Sequence, residues 1–293
     1  MKLFFIRIWL AFKYRKISFI KDLFMYTSLF WAFYCIAQEG CRIFMGEEYS
    51  KLGWMYISII VAPSLILSIY KAYPCIKMST EIERCGTNIK VEIGNLFECK
   101  GVVAIGFDDY FNTDISEKNK IISTTSLHGM FLKEIVGTNI GKFESLLFDQ
   151  LKDIEGETNE NRQKGRVVKY PIGTTVSYST DDQGYLLTAI SEMNDDLEAH
   201  SNMAMITSAT FEMLSFARHF CNQKPLFLPL WGTGLSRTNM NPKHVLLTLL
   251  LAIYYETQKS KITDEITIVI HESMLNKISI DEIVSEWRKN GVS

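Results

Sequence analysis

The sequence predicts two N-terminal transmembrane helices followed by a three-layer α/β/α sandwich. Two observations lead to this fold class. Two apolar runs near the N-terminus, residues 23–37 and 52–70, carry no charged residue. Beyond residue 86, short β-branched runs alternate with amphipathic stretches of helical length, which is typical of a sheet with helices on both faces. The chain of 293 residues has room for one sizeable domain besides the two helices.

The two apolar runs have the length and the borders of membrane spans. At 1.5 Å per residue the second run is about 28 Å long, close to the hydrocarbon thickness of a bilayer, and the first is about 22 Å long. Trp54 and Tyr70 lie near the ends of the second run, where aromatic residues mark membrane interfaces. Buried helices of a soluble protein are the alternative, but neither run has a charged face. A cleaved signal peptide is disfavoured because Arg7 interrupts the early apolar stretch.

The charges that flank the runs predict the orientation of the protein. Residues 1–22 carry six Lys or Arg and one acid, whereas residues 38–51 carry two basic residues and three glutamates. By the positive-inside rule, the N-terminus and everything after residue 70 face the cytoplasm. Neither run contains an ionisable Asp, Glu, Lys, Arg or His, so a transporter is disfavoured.

Charge and cysteine usage exclude other classes for the C-terminal part. The first 85 residues carry eleven basic and six acidic residues, and the remainder has a net charge of −7. An acidic domain is a poor candidate for sequence-independent binding of nucleic acid, which requires clustered Lys and Arg. The six cysteines show neither a C-x-x-C pair nor the spacing of zinc ligands. We therefore predict no nucleic-acid partner, no metal and no disulfide framework.

The remaining elements follow in order along the chain. Residues 71–86, with Pro74 and Gly86, are expected to form a linker, and residues 87–293 the sandwich. Runs typical of strands lie at residues 88–93, 102–107, 167–170, 174–178, 185–190, 226–230 and 266–270. Helical patterns lie at residues 127–151, 198–221, 242–255 and 280–289, and a polar loop at 155–166. Asn241-Pro242 is expected to cap and open the third helix.

Two loops at strand ends are candidate binding sites, because ligands of open α/β sheets bind beyond the carboxyl ends of the strands. Residues 123–129 offer hydroxyls and free amides at a helix start, which suits an anion; an ordinary N-cap is the alternative. Residues 231–237 contain two glycines that let successive amides point into one concavity, which suits a pyrophosphate; a tight turn is the alternative. The candidate residues are Ser123, Thr124, Thr125, Ser126, Leu127, His128, Gly129, Trp231, Gly232, Thr233, Gly234, Leu235, Ser236 and Arg237.

These loops, together with Ile93-Gly94-Asn95-Leu96 and Val103-Ala104-Ile105-Gly106, resemble the phosphate loops and first strands of macro domains. The resemblance covers about residues 86–285 and implies a macro-like fold that binds ADP-ribose or a related adenine nucleotide. Three further segments, 107–113, 170–174 and 229–237, resemble the macro-domain class found behind two transmembrane helices in effectors of type II Thoeris antiphage systems.

Two more candidate ligand-binding residues come from this resemblance. Asn95 replaces the family aspartate that usually contacts the adenine amino group. Phe107 opens the stretch Phe107-Asp108-Asp109-Tyr110, which stands where de-ADP-ribosylating macro domains have Asn-Ala-Ala-Asn. The asparagine associated with hydrolysis is therefore absent. His128 could act as a base, but packing or capping explains a loop histidine better, so we predict no catalytic residue.

The resemblance implies a multi-pass effector in the bacterial inner membrane. A partner TIR-domain enzyme would consume NAD and release an ADP-ribose derivative such as histidine-ADP-ribose. The cytoplasmic macro-like domain would bind this signal without a cofactor, and the spans, in a homo-oligomer, would compromise the lipid bilayer and cause abortive infection. The alternatives are a membrane-anchored ADP-ribosyl hydrolase or phosphatase, which would turn its ligand over, and a passive scaffold, which would bind no nucleotide.

Overall fold

An eight-stranded mixed sheet organises most of the chain. The computed structural model describes residues 8–9, 12–13, 15–45, 55–73, 76–82, 84–116, 121–232 and 240–289. The chain divides into two compact units. The smaller unit comprises residues 1–76 and 272–281, and the larger comprises residues 77–271 and 282–293.

The smaller unit is built on a helical hairpin of α1 (Lys16–Met45) and α2 (Met55–Ala72). An ion pair of 2.7 Å between Asp22 Oδ1 and Lys71 Nζ joins the start of α1 to the end of α2. Ser64 and Ser68 are buried, and their hydroxyls donate to carbonyls one turn earlier in α2. Large apolar side chains are instead exposed on both helices; they include Phe24, Trp31, Phe33, Ile36, Ile59 and Ile66.

The hairpin bears on the two predicted membrane spans. Within the described residues, one helix is long and apolar enough to cross a bilayer, at Lys16–Phe44. The described apolar part of α2, Ser58–Ala72, is shorter than the roughly 20 residues that a helical span needs. The first apolar run, residues 23–37, lies inside α1, which continues through charged residues at both ends. The pair of Glu39 with Arg42 at 2.8 Å shows how such an end is stabilised, since residues three apart face each other on a helix.

The strands of the larger unit run in the order β1-β2-β10-β9-β3-β7-β6, with β8 paired to β7. The five strands from β2 to β7 in this order are parallel, and β1, β6 and β8 are antiparallel to their neighbours. The bounds are β1 Lys77–Ile82, β2 Thr87–Ile93, β3 Val102–Asp108, β6 Thr175–Ser179, β7 Gly184–Met193, β8 Ala199–His200, β9 Leu226–Pro229 and β10 Glu265–Ile270. A separate pair is formed by β4 Glu157–Thr158 and β5 Val168–Lys169.

Helices cover both faces of this sheet. The helices are α3 Leu127–Met130, α4 Ile140–Leu151, α5 Met203–Phe220, α6 Pro242–Lys259 and α7 Ile280–Lys289. On one face, alternate residues of β3 and β7 form a core cluster with Phe131, Phe143 and Leu147. The helix α5 packs against β7 and α6. The macro-like α/β fold is thereby present, and each of the seven predicted strands is found.

Some predicted boundaries are wrong for identifiable reasons. Residues 77–82 of the predicted linker 71–86 form the edge strand β1, with Met78 and Ile82 buried, so the sheet begins ten residues before the predicted start of the sandwich at residue 87. The predicted helix at 198–221 begins only at Met203. Residues 199–200 pair with β7 instead, and Asn202 caps the helix by accepting from the Met205 amide.

The predicted helix at 127–151 is interrupted rather than regular. A π-helical turn at Phe131–Val136 and a 3-10 turn at Gly137–Asn139 separate α3 from α4. Gly137 has a φ of +51°, which breaks the α-helical backbone. The polar loop predicted at 155–166 contains the short strand β4.

Candidate functional site

The first predicted loop, residues 123–129, folds through its own hydroxyls. The Ser126 hydroxyl accepts from the Gly129 amide at 3.0 Å and donates to the Ser123 carbonyl at 2.7 Å. The hydroxyl oxygens of Ser123 and Thr125 lie 2.9 Å apart. Ser126 is thus the N-cap of α3, whereas the side chains of Ser123, Thr124 and Thr125 are exposed to solvent.

Gly129 closes this loop by a close approach of backbone to backbone. A Cβ atom at this position would lie 2.0 Å from the Ser123 carbonyl oxygen. Any side chain would therefore push the two ends of the loop apart. Glycine is required here by contact distance rather than by its dihedral angles.

His128, from the same loop, points into the protein. Its ring packs on Phe107 with a centroid distance of 3.6 Å, and it is buried. Burial lowers the pKa of His128 to about 3, opposed by a hydrogen bond with the Asn112 backbone, so the imidazole is neutral at physiological pH. Its Nδ1 lies 3.7 Å from Asp108 Oδ2.

Two adjacent aspartates follow the core of β3, and both are buried. Asp108 Oδ1 accepts from the Tyr110 amide at 3.0 Å and from Asn112 Nδ2 at 2.7 Å. Asp109 Oδ1 accepts from the Met193 amide at 3.0 Å, and its Oδ2 lies 3.6 Å from Lys169 Nζ.

The surroundings disfavour the charged form of both carboxyls. Burial raises the pKa of Asp108, against the opposing effect of its hydrogen bonds. Burial, with a contribution from the Asp108 charge, raises the pKa of Asp109 to about 7 despite the Met193 amide and Lys169. The site thus places two carboxyls with raised pKa values beside a neutral histidine.

A buried arginine completes this group. Arg162 lies over the Tyr110 ring at 3.8 Å, and its Nη1 donates to the carbonyls of Met193 and Asn194 at 3.5 and 3.4 Å. We call Asp108, Asp109, Asn112, His128 and Arg162 the polar cluster. Five of its buried atoms have no hydrogen-bond partner; they are Asp108 Oδ2, Asp109 Oδ2, His128 Nε2, Arg162 Nε and Arg162 Nη2. Proteins leave few such atoms, so their concentration at one place calls for a functional explanation.

Backbone contacts hold two of the predicted segments together around the polar cluster. The Tyr170 amide donates to the Asp109 carbonyl at 2.8 Å, which joins segment 170–174 to segment 107–113. Phe111 has a φ of +53°, a strained conformation for a residue with a large side chain. Strain of this kind persists where the surrounding structure enforces it, and it occurs here beside the unpartnered atoms.

The second predicted loop is described only at its start. Trp231 is buried, and its contact with a ligand stays a prediction. Gly232 has a φ of +72°, and a Cβ there would lie 2.9 Å from Met240 Cε. The other predicted residues of this loop lie outside the described residues; they are Thr233, Gly234, Leu235, Ser236 and Arg237.

The two candidates that came from the resemblance differ in their exposure to solvent. Asn95 is exposed at the end of β2, where its side chain accepts from the Phe97 amide at 3.2 Å and donates to Glu98 at 3.0 Å. Phe107 is 1% exposed and packs among aromatic rings. Its side chain is part of the aromatic core, and its contact with a ligand stays a prediction.

Sequence reasoning missed part of the polar cluster. Arg162 comes from the predicted polar loop at 155–166, where nothing marks one cation as buried. The pair Asp108-Asp109 carried a usable signal, since two acids follow directly on a run that is apolar enough to be a central strand. Within the part of the chain that the structure describes, no three His, Cys, Asp or Glu side chains gather as metal ligands.

Comparison with known proteins gives concordant results. Residues 89–271, more than half of the chain, match the family model described as Thoeris protein ThsA, Macro domain. The Thoeris protein ThsA of Bacillus amyloliquefaciens strain Y2 is 22% identical over 242 residues, which cover 80% of this chain and 79% of that protein. A single-substitution mutant of the Oceanobacillus iheyensis macrodomain aligns with a TM-score of 0.51 and 11% identity, covering 73% of this chain and 94% of that one. This last likeness concerns the fold alone.

Proposed function

Because the chain belongs to the family of the Thoeris protein ThsA macro domain, we propose that it is a membrane-embedded effector of antiphage defence, gated by an ADP-ribose-derived signal. The observation that carries the proposal is the polar cluster, with its five unpartnered buried atoms beside the loop 123–129. Buried polar groups without partners cost free energy, and they are retained where a ligand or an ordered water completes them.

The proposed ligand has two chemically distinct parts. Its diphosphate would lie against the exposed Ser123–Thr125 side of the first loop and the amides of the second loop, as anions do at such loops. Its other polar groups would meet the carboxyls and the guanidinium of the polar cluster. Histidine-ADP-ribose, made from NAD by a partner TIR-domain enzyme, has both parts, and we propose it as the signal.

Binding without turnover fits the chemistry of the site better than hydrolysis. A general base should have a pKa near the working pH. The pKa of His128 is lowered to about 3, and its ring packs on Phe107. Asp109 has a pKa raised to about 7, but its Oδ1 already accepts from the Met193 amide, and the asparagine associated with hydrolysis is absent from residues 107–110. We therefore propose a sensor and not a hydrolase.

The hairpin is the proposed effector element. Its exposed apolar side chains suit contact with lipid, and α2, about 27 Å long at 1.5 Å per residue, would form the second span beside α1. We propose that the N-terminus and the macro domain lie in the cytoplasm. Signal binding would change the packing of hairpins in a homo-oligomer and breach the membrane. The signal can drive this change only through a higher affinity for the active state.

The test uses the full chain reconstituted in liposomes loaded with a fluorescent dye. We expect ADP-ribose or its histidine conjugate to bind in calorimetry, to remain intact by mass spectrometry, and to release the dye. Thr124→Glu, which adds a negative charge to the exposed loop, should weaken binding by about tenfold, or 1.4 kcal/mol. Thr138→Glu, at an exposed threonine of the 3-10 turn, is the matched control and should bind as the parent does. Steady product release would favour a hydrolase, and absence of binding would contradict the proposal.

A further inference from the structure

The chain returns to the smaller unit once after the macro domain has formed. The strand β10 ends at Ile270, and residues 272–281 group with the N-terminal residues. From residue 282 onward, the chain belongs to the larger unit again. We call residues 272–281 the return segment.

Two polar contacts attach the return segment to the residues just before α1. Lys13 Nζ lies 3.0 Å from Glu272 Oε1, and Arg15 Nε donates to the Leu275 carbonyl at 3.3 Å. The segment has its own compact structure, with a 3-10 helix at Glu272–Asn276 and amides of residues 277 and 278 donating to the Met274 carbonyl at 2.9 Å. Leu275 and Ile278 are buried. A segment with two buried apolar side chains and two polar contacts is more than a flexible linker.

Lys13 and Arg15, the residues that the return segment contacts, lie at the base of the hairpin. We use this term for the residues just before α1 together with the end of α2. The rings of Phe12 and Phe19 are 5.1 Å apart, on either side of Lys13 and Arg15 in the sequence. Phe12 and Phe19 also line a small cavity together with Ile69 and Ala72, at the end of α2. A displacement of residues 12–15 would therefore reach the ends of both helices.

At its other end, the return segment continues along the chain from the strand β10. β10 lies between β2 and β9, and the Gly94 amide donates to the Ile270 carbonyl at 3.0 Å. Ile270 is thus at the carboxyl edge of the sheet, the edge at which ligands of such sheets bind. One residue, His271, separates β10 from the return segment.

We propose that the return segment transmits ligand binding at the carboxyl edge of the sheet to the base of the hairpin, through the Lys13–Glu272 and Arg15–Leu275 contacts. This inference rests on the proposed function. It assigns Lys13, Arg15 and Glu272 to coupling, separate from ligand contact and from lipid contact. Coupling of this kind is a free energy between two sites, and residues outside both sites can remove it.

Charge reversal with restoration tests the ion pair in the full chain. Glu272→Lys and Lys13→Glu should each bind histidine-ADP-ribose with calorimetric affinity like that of the parent, yet lose dye release from liposomes by about tenfold. The double variant K13E/E272K should recover release, because the pair is rebuilt with its charges exchanged. Arg15→Gln should also lose release, and no charge exchange is available to restore it.

Asp264→Lys is the matched control, since Asp264 pairs with Lys261 at 2.6 Å just before β10 and is exposed. It should bind and release like the parent. Undiminished release by both single reversals, or failure of the double variant to recover while its thermal melt is unchanged, would overturn the coupling role. A parent protein that neither binds the nucleotide nor releases dye would instead refute the proposed function, and the inference would fall with it.

Discussion

The hairpin and the macro domain differ in which residue types they expose and which they bury. Phe24 and Phe33 of α1 are exposed, whereas Phe131 and Phe143 of the macro domain are at most 1% exposed. Conversely, Asp22, Ser64 and Ser68 are buried within the hairpin. Soluble proteins rarely leave a large apolar patch exposed. The inversion supports the proposal that the hairpin contacts lipid.

The buried polar groups of the two regions differ as well. In the hairpin, the Asp22 carboxylate binds Lys71, and the two buried serines bind the carbonyls of their own helix. In the macro domain, the polar cluster leaves five atoms without partners. In the first set, each of these buried groups has a partner within the hairpin. The second set is incomplete, which supports the proposal that a ligand binds there.

The largest expected effect comes from one substitution made in both regions. Phe33 and Phe148 are 62% and 65% exposed, one on α1 and one on α4. Phe33→Arg should cost about 3 kcal/mol of membrane insertion, because a charge in the middle of a span must leave water. Phe148→Arg should change the free energy of unfolding by less than about 0.5 kcal/mol. Fractionation of cell membranes after expression measures the share of each variant that is retained in the membrane. Equal membrane retention of the two variants would mean that α1 is not a span.

The next effect sharpens the comparison within the macro domain. Gly129→Ala should destabilise the full chain by about 3 kcal/mol, because its Cβ would overlap the Ser123 carbonyl. Gly141→Ala is the control: no atom lies within 4 Å of a Cβ there, and alanine should stabilise α4 by about 0.5–1 kcal/mol. Denaturant titration in detergent distinguishes them. A Gly129→Ala protein as stable as Gly141→Ala would show that the loop is not closed as described.

The sequence predicts an element well where local pattern and tertiary environment agree. β3 and β10 are buried on both faces, so their continuous apolar runs identify them. Asn241-Pro242 predicts the start of α6 because capping is a local effect, and the Asn241 side chain accepts from the Lys243 amide at 3.0 Å. β1 escaped prediction because it is a polar edge strand with only two buried side chains.

Only those parts of the candidate site that are formed by residues close together in the sequence could be predicted. The loop 123–129 carries its own glycine and hydroxyls, so its start-of-helix chemistry can be recognised from the sequence. Arg162 lies 54 residues after Asp108 in a polar loop, and only the fold brings them into one cluster. The fold likewise determines the burial of Phe107 and Trp231, because composition does not distinguish buried aromatic residues from exposed ones.

A smaller effect concerns pH and the polar cluster. Burial raises the pKa of Asp109 to about 7, whereas the unfolded chain has the ordinary pKa of about 4. Between these two pH values, the native state therefore holds a proton that the unfolded chain has lost. The stability of the parent should therefore fall as the pH rises from about 4 to 7 and level off above that. Asp109→Asn, which stays neutral, should lose this dependence and exceed the parent by about 2 kcal/mol at alkaline pH. Denaturant titrations from acid to alkaline pH measure it, and identical pH profiles would contradict a raised pKa.

The smallest expected effect concerns the polar contacts of the hairpin. Asp22 is almost fully buried, whereas the Lys71 side chain is 52% exposed, so the attraction is partly screened by solvent. Asp22→Asn should therefore weaken the contact between α1 and α2 by about 1 kcal/mol. Arg42→Gln, which breaks an exposed pair within α1 alone, should have almost no effect.

The separation of the two helix ends can be followed by spin labels at residues 20 and 70 in detergent of increasing denaturing strength. We expect Asp22→Asn to separate earlier than the parent and Arg42→Gln to separate with it. A hairpin that is insensitive to Asp22→Asn would be held by apolar packing and the buried serine face alone. In that case its buried polar groups would contribute to the position of the helices without measurably stabilising them, and the contrast with the polar cluster would rest on the unpartnered atoms of the macro domain.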